Sequence, residues 1–230
     1  MNNLFLNSAT MGVVLSLLAY EIGMFIKNKT KKAIFNPLLI SIVIVIAVLI
    51  LFDIDYDSYN QSAKYISYLL TPATVSLAIP LYRQLNLLKQ NFMAIILGIL
   101  SGVLTSLISI LGMSILFGLT HEEYVTLLPK SITTAIGMGV SEELGGYVTI
   151  TVVVIIITGI LGNIIGSFAC NIFRITNPIS KGLALGTSSH AIGTTKAMEM
   201  GEIEGAMSSL SIVVAGLMTV VLASIFAMLY

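Results

Sequence analysis

The sequence predicts an all-α polytopic membrane protein with about six full transmembrane helices and two polar helical segments. Of the 230 residues, 57% are hydrophobic and only 10% are charged, whereas soluble domains are about 25% charged. The apolar residues fall in runs long enough to cross a bilayer, for which a helix needs about 20 residues. We expect residues 1–230 to form one integral membrane domain, with scaffold spans mainly in 1–128 and both polar segments in 129–230.

The predicted spans are separated by charged loops that set their orientation. The basic loop KNKTKK follows the first span. Because short basic loops stay in the cytoplasm, the N-terminus is expected outside. The spans are Leu4–Ile26, Ala33–Phe52, Ser62–Tyr82, Phe92–Leu119, Tyr147–Phe173 and Ile203–Tyr230.

Two segments, Pro129–Gly146 and Asn177–Gly201, are too polar to be ordinary lipid-facing spans. Irregular or polar backbone is tolerated at membrane depth only where protein or a water-filled cavity surrounds it. If both segments enter and leave on the same side, the chain has six full spans. If one or both cross as broken helices, the count becomes seven or eight, and the sequence leaves both arrangements open.

The two polar segments carry a short internal echo. Ser131–Gly137 has the sequence SITTAIG, and Ser188–Gly193 has SSHAIG. Each is followed by an acidic, glycine-rich stretch, SEELGG or GEIEGA, and then by a long span. One full span separates the two units, so they would enter the membrane from opposite faces. This order is typical of an inverted repeat with polar tips that meet near the midplane, as in secondary transporters.

Other spans contain irregular or small-residue positions. Pro72 and Pro80 lie in TPATVSLAIP, which predicts either a simple kink or an unwound crossing helix that lines a pathway. Gly98–Gly102 and Gly162–Gly166 have the GxxxG spacing that lets helices pack closely.

The first polar segment, PKSITTAIGMGVSEE, combines one cation with hydroxyl groups and a helix start. Lys130, Ser131, Thr133 and Thr134 could bind a small anion such as a carboxylate, helped by free N–H groups at the start of a short helix. Glu142 and Glu143 follow near the exit. They are either proton-coupling groups or residues of a solvated turn.

The second polar segment supplies the other half of the predicted site. His190 has either a ligand or proton role or a structural hydrogen bond. Lys196 and Glu199 are three residues apart and could simply pair on one helical face, although Glu199 is also a candidate coupling residue. The predicted binding residues here are Thr187, Ser188, Ser189, His190, Thr194 and Lys196.

Several function classes are not supported by the residues. Adjacent Ser188, Ser189 and His190 would point in different directions on a helix, and HExxH or a similar metal spacing does not occur, so we predict no catalytic residues, metal site or cofactor. The formal net charge is zero, which argues against a nucleic-acid partner.

The two polar segments resemble a known family. PKSITTAIGMGVSEELGG and KGLALGTSSHAIGTTKAMEMGEIEGAMSSL closely resemble the two signature regions of the LrgB/CidB family of antiholin-like proteins. The resemblance covers essentially the whole chain. The family often has a proline where Ala135 stands, which puts a local kink in doubt.

The resemblance implies two functions. One is control of murein hydrolase activity and lysis with a small holin-like partner of the LrgA/CidA type. The other is transport, because the family is similar to the plastid glycolate/glycerate translocator and its bacterial members are tied to pyruvate movement. The paired cationic and hydroxyl-rich segments favour a carrier of small monocarboxylates coupled to H⁺ or Na⁺. We expect a bacterial plasma membrane protein, and a homodimer because so few spans leave little scaffold for a carrier.

Overall fold

The computed structural model describes residues 10–30, 35–76 and 78–230, and every regular element in these residues is helical. The all-α polytopic fold class is confirmed. Residues 4–9 of the first predicted span and residues 33–34 of the second lie outside the described residues. The chain divides into two compact units, Met1–Ser76 and Leu77–Tyr230; one integral membrane domain stays a prediction.

The first unit is built from two apolar helices and a series of short ones. Asn36 caps the second helix, because its side-chain oxygen accepts hydrogen bonds from the backbone N–H groups of Leu38 and Leu39 at 2.9 and 3.3 Å. The Gly12 N–H donates to Ser62 Oγ at 2.7 Å, which ties the first helix to the third. The elements are α1 (Met11–Thr30), α2 (Pro37–Leu51), α3 (Tyr56–Ala63), a 3₁₀ helix (Lys64–Leu69) and α4 (Leu70–Ser76).

The second unit contains three long apolar helices with shorter helices between them. Its elements are α5 (Ala78–Arg83), α6 (Leu85–Gln90), α7 (Phe92–Phe117), α8 (His121–Leu127), α9 (Thr134–Glu143), α10 (Val148–Ile172), α11 (Pro178–Met200) and α12 (Glu202–Ala227). In the described residues, α1, α7, α10 and α12 are long and apolar enough to cross a membrane, and α2 is a shorter apolar helix.

The predicted span Ser62–Tyr82 is not one continuous helix. The described part of this stretch consists of the end of α3, the 3₁₀ helix, α4 and α5. Pro72 is the third residue of α4, in its first turn, where no backbone N–H is needed for an intrahelical bond. Pro72 therefore lies near the start of an α-helix that follows the 3₁₀ helix, whereas residue 77, three residues before Pro80, lies outside the described residues.

The core of the second unit lies between α7 and α12. Large side chains on one face of α7 pack against α12, whose buried residues in this core are mostly alanines. Tyr124 of α8 is fully buried here and its hydroxyl donates to the Phe226 carbonyl at 2.9 Å. The buried residues include Ile95, Ile99, Val103, Leu107 and Ile110 of α7 with Ala206, Met207, Ala215, Ala223 and Ala227 of α12.

The first polar segment forms a re-entrant hairpin, hairpin 1, from α8 and α9. Thr126 of α8 and Ser141 of α9 both contact the same residue of α10: the Thr151 hydroxyl lies 2.9 Å from the Thr126 carbonyl and 2.7 Å from Ser141 Oγ. A Cβ on Gly137 would lie 3.5 Å from the Pro129 carbonyl. The chain therefore turns back between the two helices, at residues 128–133, which we call tip 1.

The second polar segment, α11, is also a re-entrant hairpin, hairpin 2. His190 has φ 43° and ψ −139° inside the helix. A Cβ on Gly193 would lie 2.8 Å from the Leu185 carbonyl oxygen, whereas residues eight apart in a straight helix are separated by about 12 Å. Both arms also pack closely against α12. A Cβ on Gly182 in the first arm would lie 2.8 Å from Met207 Cβ of α12, and a Cβ on Gly205 of α12 would lie 2.9 Å from Met198 Cγ in the second arm. Residues 189–191 form the turn, tip 2.

The hairpins enter from opposite ends of α10. Hairpin 1 lies beside the N-terminal end of α10, where the Tyr147 N–H donates to Thr126 Oγ1 at 2.7 Å. The second arm of hairpin 2 ends near the other end of α10, beside Ser167, whose hydroxyl lies 3.8 Å from Met200 Sδ. Ile155 contacts both: its side chain would meet a Cβ on Gly137, and its carbonyl oxygen lies 2.9 Å from His190 Nε2. The predicted opposed order of the polar segments is thus present, and both segments are hairpins.

Candidate functional site

A groove with a volume of about 630 Å³ runs along α7 and reaches both hairpins. This size is within the range of pockets that hold small molecules. Its walls are formed mostly by small and hydroxyl-bearing residues, with one cationic side chain, Lys130. The polar and cationic lining residues are Ser101, Thr105, Ser106 and Ser109 of α7, Lys130 and Ser131 of tip 1, and Ser180, Thr187 and Ser188 of hairpin 2.

The turn of tip 1 brings Lys130 to the groove. The Lys130 N–H donates to the Leu127 carbonyl at 3.1 Å and the Ile132 N–H donates to the Pro129 carbonyl at 3.3 Å, so the backbone turns tightly here. Lys130 Nζ donates to Ser131 Oγ at 3.0 Å, and Ser131 Oγ lies 3.2 Å from Ser106 Oγ. This chain of hydrogen bonds links tip 1 to α7.

Lys130 has no carboxylate within ion-pair distance among the residues that the structure describes. Its side chain is only partly exposed. A half-buried charge is costly unless it is paired. The groove therefore has an electrostatic preference for an anion beside Lys130.

Close packing against α7 brings hairpin 2 to the same groove. Gly98 and Gly102 lack side chains where Leu183 and Thr187 approach, and a Cβ on Gly102 would lie 2.6 Å from Thr187 Cγ2. Both GxxxG pairs are used inside this unit, because Gly162 and Gly166 of α10 make the same kind of room for Ser189 and Leu185. The first arm of hairpin 2 is thus held between two spans, with Thr187 and Ser188 at the groove.

Four of the predicted binding residues therefore come together at the groove: Lys130 and Ser131 from hairpin 1, and Thr187 and Ser188 from hairpin 2. Thr133 and Thr134 lie at the start of α9, half-buried and outside the groove lining. The predicted pairing of hydroxyls from two polar segments is present, although only part of each set contributes to it.

The other predicted residues of hairpin 2 lie away from the groove. Ser189 is buried in the space left by Gly162. His190 is buried and bonded to the Ile155 carbonyl, and Thr194 Oγ1 lies 3.0 Å from the His190 carbonyl and 2.7 Å from Ser208 Oγ. Lys196 Nζ donates to Glu199 Oε2 at 2.9 Å, the pairing that their spacing allows.

The three candidate coupling residues lie at the outer parts of the hairpins. Glu142 and Glu143 are exposed at the end of α9. Glu199 is exposed near the end of α11. None of them lines the groove. Within the described ranges, no group of three or more His, Cys, Asp or Glu residues could hold a metal ion.

The contribution of α7 to the groove was not predicted from the sequence. Ser101, Thr105 and Ser109 are spaced by four residues and lie exposed along the groove, next to Gly98 and Gly102. Residues four apart share a helix face. The signal was present in the sequence as hydroxyl groups recurring on one face of the span Phe92–Leu119.

Comparisons with known proteins agree on one family. The family model described as LrgB-like family matches residues 16–229. The chain is 38% identical over 219 residues to the antiholin-like protein LrgB of Bacillus subtilis (strain 168), with 95% of each protein covered. It is 38% identical over 216 residues to the antiholin-like protein LrgB of Bacillus cereus (strain B4264), with 94% of each covered. No solved structure matches the chain.

Proposed function

We propose that this chain, which belongs to the LrgB-like family, is a secondary transporter of small monocarboxylates of the pyruvate, glycolate or glycerate type. The observation that carries the proposal is Lys130, a half-buried cation without a carboxylate partner in the described residues, placed in a groove that both hairpins reach. A monocarboxylate would neutralise this charge and accept its hydrogen bonds. The proposed activity moves a solute without chemical conversion, so it requires no catalytic residue or cofactor.

The arrangement of the hairpins supports alternating access. Polar tips that enter from opposite sides and meet within the membrane are a recurring arrangement in secondary transporters. Here Ile155 contacts both hairpins, so a site beside the tips could open to either side as one hairpin moves. Coupling to H⁺ or Na⁺ is part of the proposal, with Glu142 and Glu143 on hairpin 1 and Glu199 on hairpin 2 as candidates.

Uptake into proteoliposomes tests the proposal. Purified protein is reconstituted, and uptake of labelled pyruvate, glycolate and glycerate is measured with H⁺ or Na⁺ gradients. We expect saturable uptake, and we expect Lys130→Gln to lower it by about tenfold or more, because a hydrogen bond to a charged group contributes roughly 1.5–3 kcal/mol. Lys89→Gln, at an exposed lysine of α6 outside the groove, is the matched control. Unchanged uptake in Lys130→Gln would contradict the site.

A second candidate function is an antiholin-like or holin-like regulator of murein hydrolase activity and cell lysis. The name of these relatives, antiholin-like protein, favours this function over transport. In this case the chain would act with a small LrgA/CidA-type membrane protein. Leakage of large dyes from liposomes that contain both proteins, without saturable carboxylate uptake, would support regulation and rule against the carrier.

The cellular setting follows from the same proposal. The chain is a multi-pass membrane protein; we place it in a bacterial plasma membrane with the N-terminus outside. A homodimer would supply the scaffold against which hairpins move. Transport by a monodisperse monomer, reconstituted at high dilution, would contradict the dimer, and labelling of a cysteine placed at Lys29 only from the outside would contradict the orientation.

A further inference from the structure

Five of the hydroxyl groups along the groove have already used their single proton. On α7, Ser101 donates to the Gly98 carbonyl at 2.8 Å, Thr105 to the Ser101 carbonyl at 2.7 Å, and Ser109 to the Thr105 carbonyl at 2.6 Å. On hairpin 2, Thr187 donates to the Leu183 carbonyl and Ser188 to the Ala184 carbonyl at 2.7 Å. A hydroxyl group has one donor and two acceptor lone pairs. These five side chains therefore present acceptors to the groove.

The donors are gathered at tip 1. The Lys130 ammonium has three N–H groups, of which one is directed at Ser131 Oγ. Ser106 Oγ and Ser131 Oγ share one hydrogen bond, so one of their two protons stays available beside the ammonium. The groove thus has a cationic donor end at tip 1, while the five hydroxyl oxygens of Ser101, Thr105, Ser109, Thr187 and Ser188 act as acceptors along α7 and the first arm of hairpin 2.

We infer that the groove selects carboxylates that carry a hydroxyl group on the neighbouring carbon over carboxylates that carry a carbonyl there. The carboxylate would accept from Lys130 and the adjacent serine pair, and the hydroxyl group would donate to a Ser or Thr oxygen of the wall. A 2-oxo acid would bring a second acceptor to these five wall oxygens, which are acceptors themselves. To bind it, one of the five hydroxyls must give up its bond to its own helix, and an unpaired polar group costs free energy. This inference rests on the proposed transport function and narrows its substrate.

A series of three-carbon compounds separates the contributions. Lactate, pyruvate, propionate and alanine share a three-carbon skeleton and differ at the second carbon. There lactate has a hydroxyl group, pyruvate a carbonyl oxygen, propionate only hydrogen atoms and alanine an ammonium group. Half-saturating concentrations are measured for labelled lactate and pyruvate in proteoliposomes, with propionate and alanine as competitors. We expect lactate to half-saturate at a concentration about fivefold to tenfold lower than pyruvate, which is what one net hydrogen bond provides. Propionate should compete more weakly than lactate.

A pair of serine variants tests whether the wall causes the preference. Ser109→Ala removes an acceptor from the groove. Ser224→Ala is the matched control: it removes a half-buried hydroxyl on α12 that also bonds the carbonyl four residues earlier, at 3.3 Å, but lies outside the groove. We expect Ser109→Ala, alone or with Thr105→Val, to reduce the ratio of pyruvate to lactate half-saturation toward one. Ser224→Ala should keep the wild-type ratio.

The outcomes separate this inference from the transport function. Saturable uptake that depends on Lys130 but favours pyruvate, or treats both acids equally, would overturn the inference and leave transport in place. Stronger competition by alanine than by lactate would also overturn it, because an ammonium group would then be the preferred donor. A lack of saturable uptake of either acid would overturn transport itself.

Discussion

The two hairpins have similar sequences at their tips but different structural positions. Tip 1 directs Lys130 and Ser131 to the groove, and its non-glycine residues keep φ negative. Tip 2 contains His190 at φ 43°, fully surrounded, with its ring against Gly159 and Nε2 bonded to the Ile155 carbonyl. One tip offers a charge to a ligand, and the other is attached to a transmembrane helix.

This difference assigns separate tasks to two related segments. A left-handed backbone at a residue other than glycine costs roughly 1–3 kcal/mol, and at tip 2 the His190 hydrogen bond and the close fit to Gly159 offset that cost. Tip 1 has no such strain and its lysine is held by hydroxyl groups. In the proposed carrier, hairpin 1 supplies the charge for binding and hairpin 2 supplies hydroxyls from its first arm, while the turn of hairpin 2 is bonded to α10.

The largest expected contrast is between the two lysines. Lys130→Gln should abolish most uptake, whereas Lys196→Gln should change uptake by no more than about twofold, because Lys196 pairs with the half-exposed Glu199 and such pairs are worth about 0–1 kcal/mol. Initial uptake rates at equal protein density measure both. An equal loss in the two variants would place the second arm of hairpin 2 in the binding site and remove the contrast between the tips.

Gly159→Ala should disturb tip 2 more than any single change at tip 1. The added Cβ would lie 2.7 Å from His190 Cε1 and 2.8 Å from Ile192 Cδ1, and overpacking of this kind costs about 1–3 kcal/mol. We expect a lower unfolding temperature in detergent. Gly139→Ala is the matched control, because a Cβ there meets nothing within 4 Å; equal unfolding temperatures for the two variants would show that the histidine contact is not tight.

A smaller effect should distinguish backbone strain from the hydrogen bond at tip 2. His190→Gly and His190→Ala both lose the bond to Ile155, but only glycine adopts the positive φ at little cost. We expect His190→Gly to be more stable than His190→Ala by about 1 kcal/mol. At tip 1, Ser131→Gly should bring no comparable gain over Ser131→Ala, since Ser131 is not a positive-φ residue. If alanine and glycine are equivalent at position 190, the strain contributes nothing.

Much of the architecture could be predicted because it depends on local composition. Apolar runs such as Tyr147–Phe173 stand out from the polar segments on either side, and α10 covers nearly the same residues. The opposed entry of the two hairpins followed from the single span between the segments. The choice between hairpin and crossing helix could not be predicted, since it depends on contacts such as that of Gly193 with Leu185.

The site was predicted only in part because its contributors are distant in sequence. Lys130 and Thr187 stand in conspicuously polar surroundings, but Thr105 lies in an apolar span whose few hydroxyls do not change its composition. The bond of His190 depends on the carbonyl of Ile155, which is 35 residues earlier, and a backbone acceptor has no sequence signal. The position of Pro72 in a helix could not be predicted, because a proline in a first helical turn and a proline that kinks a helix give the same sequence pattern.

Ile155 touches the two hairpins through different parts of one residue. Hairpin 1 meets its side chain, and hairpin 2 is bonded to its main-chain oxygen, which every amino acid retains. A substitution at position 155 can therefore change how hairpin 1 packs against α10, while the hydrogen bond to hairpin 2 persists. Position 155 is a place where evolution, or a protein engineer, could adjust one side of the membrane independently of the other.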